Sequence, residues 1–149
     1  MNNEPKNYED WLNLGRVIIP CYKGKPKKGI TGYTQEDFKI EKDIWNRDHG
    51  TAEIALRLDQ DIDLDVDNEI IKNFIPYYIN DCGAVFGRDG NPSSHYLWSN
   101  KNKISFKQFS LPEEFERDYK NFAHGAMLCE LRTENKRYTI VPESLHSKS

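Results

Sequence analysis

An acidic residue occupies every second position from Asp59 to Glu69 in the stretch DQDIDLDVDNE, and Ile62, Leu64 and Val66 fill the later gaps. On an extended strand successive side chains point to opposite faces. Asp63, Asp65 and Asp67 then share one face and the apolar row takes the other. Residues i and i+2 lie about 6–7 Å apart along a strand. Two such carboxylates can converge on divalent ions spaced about 3.5–4 Å, the arrangement of two-metal phosphoryl and nucleotidyl transfer. The plain alternative is a solvated acidic face. A calcium loop is excluded: with Asp61 in first place, the sixth position needs Gly and holds Val66, and the twelfth needs Glu and holds Lys72.

Two further stretches set polar groups on apolar scaffolds. FGRDGNPSSHYLW places His95 at the start of a strand, after a turn containing Gly90, Ser93 and Ser94. AMLCELRTENKRYTIVP puts Glu130 and Arg132 on one face of a strand whose other face carries Met127, Cys129 and Leu131. The loop KGKPKKGITGY carries Lys23, Lys25, Lys27 and Lys28 among three Gly and a Pro, a composition that excludes regular structure.

The elements that must position these groups follow from the pattern. NYEDWLNLG reads as a helix closed by Gly15, and RVIIPCY as a strand. Thr34 and Asp37 form a capping box opening a second helix whose apolar side is Phe38, Ile44 and Trp45. AEIALRL and DIDLDVD read as two strands joined at Asp59-Gln60. NEIIKNFIPYYI reads as a helix that Pro76 kinks or ends early. AVFGR, SHYLW and ISFKQF read as strands, LPEEFERDYKNF as a helix, and AMLCELR and RYTIVP as strands joined at TENK. The expected class is α+β, a mixed or antiparallel sheet with flanking helices.

A length of 149 residues suits one domain spanning 1–149. Charged residues make up 30% and the hydrophobic set 37%, the balance of a polar-surfaced globular chain. The 12% of aromatics argues against disorder. No run approaches the roughly 18 apolar residues of a membrane span, and MNNEPKNYEDW lacks the parts of a signal peptide, so a cytoplasmic location is expected. Cys21, Cys82 and Cys129 are odd in number and widely spaced, which reads as reduced core thiols rather than a zinc site. A net charge of −3 means that any nucleic-acid contact must come from a local basic patch.

In order and character, IDLDVDN, SSH and LCELR resemble the motifs of the archaeo-eukaryotic primase superfamily, specifically its bifunctional primase/polymerase (prim-pol) domain. The family pattern is a hydrophobic strand ending in Asp-x-Asp, then Ser-x-His, then an apolar strand with an acidic residue. VIIPCYKGKPKKGITGY is similar to the family's first strand and basic loop. ENKRYTIVPESLH is similar to the stretch that usually reads Pro-Pro-Ser and then a His, with Glu143 in place of the second Pro. The likeness covers most of the chain, which ends soon after His146 as a fragment or minimal version would.

The resemblance implies a primase/polymerase catalytic core with an RRM-like palm. It makes Asp65, Asp67 and Glu130 the ligands of two Mg²⁺ or Mn²⁺ ions, and His95 a contact to the incoming nucleotide's phosphates. Arg132 becomes a candidate for triphosphate or template contact, Ser94 (or Ser93) shapes the turn at the nucleotide-binding site, and Lys25 and Lys27, in the basic loop, become nucleotide or template contacts. The implied activity is template-directed DNA primase/polymerase synthesis from nucleoside triphosphates on single-stranded DNA, in replication of a phage, plasmid or similar element, with a replicative helicase as partner. The alternatives are a non-catalytic nucleic-acid-binding module that keeps the primase fold, and a metal-dependent nuclease.

Overall fold

Asn7 begins the first helix as an N-cap, its side chain accepting from the Asp10 amide at 3.1 Å. Helix α1 (Tyr8–Asn13) ends as Gly15 turns into the left-handed region at φ 70. The computed structural model describes residues 7–50, 52–79, 82–88, 90–110 and 127–141. The helix expected over LPEEFERDYKNF and the Glu143 and His146 positions lie outside the described residues. Antiparallel strands dominate and helices are few, an α+β fold. The chain partitions into two compact units, one of Met1–Asp61 with Thr133–Ser149 and one of Ile62–Arg132.

In the first unit, β1 (Ile18–Tyr22) pairs antiparallel with β2 (Lys25–Pro26) and with β3 (Glu53–Asp65). The lysine-rich loop is therefore partly regular. Lys23 and Gly24, at φ 50 and 74, make the two-residue connection of a tight hairpin, where both positions need positive φ. Their amides donate to the two carboxylate oxygens of Glu53 at 3.0 and 2.7 Å. Ile19, Cys21 and Ala55 form the core, with Ile30, Tyr33, Phe38, Tyr138 and Ile140 packed on it. Burial pushes the Cys21 thiol up to about 12.

Two expected breaks do not occur. No turn forms at Asp59-Gln60; β3 runs through as one strand of 13 residues. Arginines neutralise the acids that would favour a turn: Arg57 donates to Asp59 at 2.8 Å, and Arg16 donates to Asp61 at 2.9 Å and to Gln60 at 2.6 Å. Likewise TENK does not separate two strands. Strand β7 (Met127–Ile140) continues through it, with Glu134 absorbing the irregularity at φ 83 and the Thr133 hydroxyl bonded to the Leu58 carbonyl at 3.3 Å.

The helix expected from Thr34 is also displaced. Arg57, 2% exposed, draws the carbonyls of Tyr33 and Gln35 into bonds of 3.1 and 2.6 Å, holding them outside any helix. Helix α2 is only Lys42–Ile44 and passes into a π-helical turn, Trp45–His49. Trp45 is buried there and stacks on Tyr8 with ring centroids 5.1 Å apart.

In the second unit, β5 (Asn91–Ser99) lies between β3 and β4 (Ala84–Arg88), and β6 (Lys107–Ser110) pairs with β7. Helix α3 (Glu69–Tyr78) is capped by Asn68, whose side chain accepts from the Ile70 and Ile71 amides at 3.0 and 3.1 Å. Its stripe of Ile71, Ile75 and Ile79 packs on Leu64, Val66 and Tyr96. Pro76 does not stop the helix, which runs on to Tyr78, and Ile79 still donates to the Ile75 carbonyl at 3.0 Å.

Candidate functional site

The alternation in β3 sends Leu64 to the core beneath α3 and Asp63 and Asp65 to the other face. His95 reaches that face from β5. It sits directly across from Phe86 on β4, and the two rings stack with centroids 5.1 Å apart and planes at 16°. The register slips just beyond this pair, between Phe86 and Arg88. Gly87 is required there, because a Cβ would stand 2.3 Å from the Asn91 carbonyl oxygen and 2.7 Å from the Ser93 nitrogen.

Asp63 is fully buried and holds His95 Nδ1 at 3.0 and 3.2 Å from its two oxygens. A carboxylate only accepts, so Nδ1 carries the proton and Nε2 is left as the ring's other polar atom. Asp65 Oδ1 lies 3.7 Å from the same nitrogen. Arg132 Nη1 donates to Asp65 Oδ2 at 3.1 Å and stands 3.7 Å from Asp63, while its Nε is 3.6 Å from Glu130 Oε2. Glu130 is 9% exposed and accepts from Gln108, its cross-strand partner on β6, at 2.8 Å.

Burial raises the Asp65 carboxyl above its ordinary value; His95 and Arg132 oppose that shift, and Asp63 and Asp67 add to it. For His95 burial works against the charge, yet the hydrogen bond and charge of Asp63 outweigh it and the imidazole is raised. Among the described residues, Asp63, Asp65 and Glu130 thus gather around Arg132, and His95 faces the two aspartates.

The residues expected from the sequence divide. Asp65, His95, Glu130 and Arg132 come together. Asp67 is exposed and turns to Asn91, whose amide donates to it at 3.1 Å; Asn91 in turn accepts from Lys72. Asp63 takes the position beside His95 and Arg132 instead. Ser94 is 1% exposed and serves the strand through its carbonyl, which accepts from Val66 at 2.7 Å; the exposed serine is Ser93, at φ 53. Lys25 and Lys27 belong to the first unit, Lys25 exposed on β2 and Lys27 half-buried. Asp63 was legible, since it shares a face with Asp65. Gln108, Phe86 and Asn91 are set by cross-strand register, for which a single sequence carries no signal.

Carboxylate oxygens are the donors that Mg²⁺ and Mn²⁺ favour, and Asp63, Asp65 and Glu130 supply them. The donor chemistry fits. The spacing does not: among the described residues no three His, Cys, Asp or Glu groups stand poised to share one ion, and Arg132 contacts all three carboxylates. No family model, no curated protein and no solved structure matches the chain.

Proposed function

We propose that the chain is a template-directed nucleotidyltransferase of the prim-pol type, built on a primase palm and extending primers from nucleoside triphosphates on single-stranded DNA. The observation that carries the reading is the convergence of Asp63, Asp65, His95, Glu130 and Arg132 from three strands, in the sequence order of the three motifs. Asp65 and Glu130 remain the proposed ligands of divalent Mg²⁺ or Mn²⁺, and Asp63 joins them ahead of Asp67. Such ions, when bound, activate a primer 3′-hydroxyl and neutralise the leaving pyrophosphate. His95, held through Nδ1, donates in its protonated form from Nε2–H to a phosphate oxygen. Arg132 offers a planar fork suited to the triphosphate. Lys25 and Lys27 are proposed for template backbone, with a helicase partner in replication.

The test is incorporation of labelled nucleotides on a single-stranded template with Mn²⁺. Wild type should extend, and Asp65→Asn and Glu130→Gln should each lose about 100-fold or more, the scale of removing a group that stabilises transferring charge. Equal incorporation by all three overturns the assignment, and degradation on the same gel points to a nuclease. The engagement of the carboxylates by Arg132 favours one second reading, a binding module that keeps the fold without turnover. That module should show no Mn²⁺-dependent stabilisation that Glu130→Ala removes.

A further inference from the structure

Three carboxylates gathered around one guanidinium repel each other, and burial strengthens the repulsion by removing water. Without a counter-charge they must protonate or splay. Arg132 supplies that charge from two residues beyond Glu130 on the same strand. Its contacts are unequal. Asp65 receives a hydrogen bond at 3.1 Å, whereas Asp63 at 3.7 Å and Glu130 at 3.6 Å are close enough for attraction but too far for a bond. On none of these three carboxylates does the guanidinium make the two-pronged grip that gives arginine its strongest pairs. With its side chain 19% exposed, it has a way out to solvent.

We propose that Arg132 is the resident counter-ion of Asp63, Asp65 and Glu130 in the metal-free protein, and that a divalent cation binds by expelling its guanidinium. This rests on the nucleotidyl-transfer reading for the identity of the ion. A divalent ion brings twice the charge to the same oxygens and takes them at about 2.0–2.1 Å in the case of Mg²⁺, closer than a guanidinium can approach. The displaced guanidinium is then free for phosphate oxygens. Metal and triphosphate therefore bind cooperatively through one side chain: each stabilises the position of Arg132 that the other needs, and the coupling is reciprocal.

The experiment is a titration with Mn²⁺ alone, following free Mn²⁺ by electron paramagnetic resonance, on wild type, Arg132→Met and Arg132→Lys. Arg132→Met should bind about tenfold more tightly, as when a competing charge pair of ordinary strength is removed. It should also melt lower than wild type in EDTA and recover with saturating Mn²⁺. Arg132→Lys, which keeps the charge without the fork, should fall between the two. In the unmutated chain the Arg132 Nε–H resonance should shift on adding Mg²⁺, a readout that no folding defect can mimic. Equal or weaker Mn²⁺ binding by Arg132→Met, or an unmoved resonance in metal-saturated wild type, overturns the inference alone. If neither wild type nor variant takes up Mn²⁺, the nucleotidyl-transfer reading fails with it.

Discussion

Strand β3 carries acids along its whole second half, yet the two ends of that row are treated differently. In the first unit each acid has its own arginine: Asp59 pairs with Arg57 at 2.8 Å, and Asp61 with Arg16 at 2.8 Å. In the second unit Asp63 and Asp65 share Arg132 with Glu130, and among the described residues His95 also faces the two aspartates. One-to-one pairing is what a fold needs to bury charge. A surplus of carboxylates costs stability, and such a cost persists where function requires it. Among the described residues, the difference between individually paired and shared acids, rather than the acidity itself, distinguishes the proposed site.

The largest effect that sharpens this comparison is expected at the matched end. Asp61 is 4% exposed and its carboxyl is raised by burial even with Arg16 beside it. Arg16→Met should therefore cost about 3 kcal/mol in denaturant unfolding, the scale of a broken buried pair. Mn²⁺ should not restore it; recovery with Mn²⁺ would erase the distinction between the two ends. Next in size, Asn68→Ala removes the cap that starts α3 just after the acidic row, and should cost about 1 kcal/mol by the same measurement. A change within error would mean that the helix is held by its isoleucine stripe alone.

The smaller effects concern His95. Asp63→Asn should lower the titration midpoint of His95, followed by NMR of its ring protons in EDTA, because the hydrogen bond and charge of Asp63 raise it. Asp61→Asn should leave that midpoint where it is. Since the folded value lies above that of the unfolded chain, His95 adds stability fully below about pH 6.5, and that stability is lost as pH rises through the folded value. The melting difference between wild type and His95→Gln in EDTA should thus shrink with rising pH. A difference that grows would reverse the assigned sign.

The local chemistry of the chain was largely readable. Gly15 closes α1, NEIIKNFIPYYI supplies α3, and the period-two pattern of Ile62, Leu64 and Val66 puts Asp63 and Asp65 on one face. What misled was charge and polarity read without partners. DQD has turn composition, but arginines from residues 16 and 57 turn it into strand. Thr34 and Asp37 have capping spacing, but Arg57 takes the carbonyls that a helix would use. At the site the choice between Asp63 and Asp67 depended on where β3 stops, and Asn68 decides that by turning the chain into α3 and leaving Asp67 to Asn91. The contacts of Arg16 with Asp61, of Arg57 with the Tyr33 and Gln35 carbonyls and of Asn91 with Asp67 join residues distant in sequence; those of Arg57 with Asp59 and of Asn68 with Ile70 and Ile71 are local.

The hairpin at Lys23 and Gly24 has a consequence of a different kind. Both residues are exposed, and a turn at that position would ordinarily trade its amide protons with water almost at once. Here a single carboxylate, Glu53, holds both amides from the neighbouring strand. The two amides at the tip of the loop should therefore exchange more slowly than those of an unbonded exposed turn, and Glu53→Gln, which removes one of the two acceptor oxygens, should speed one of them.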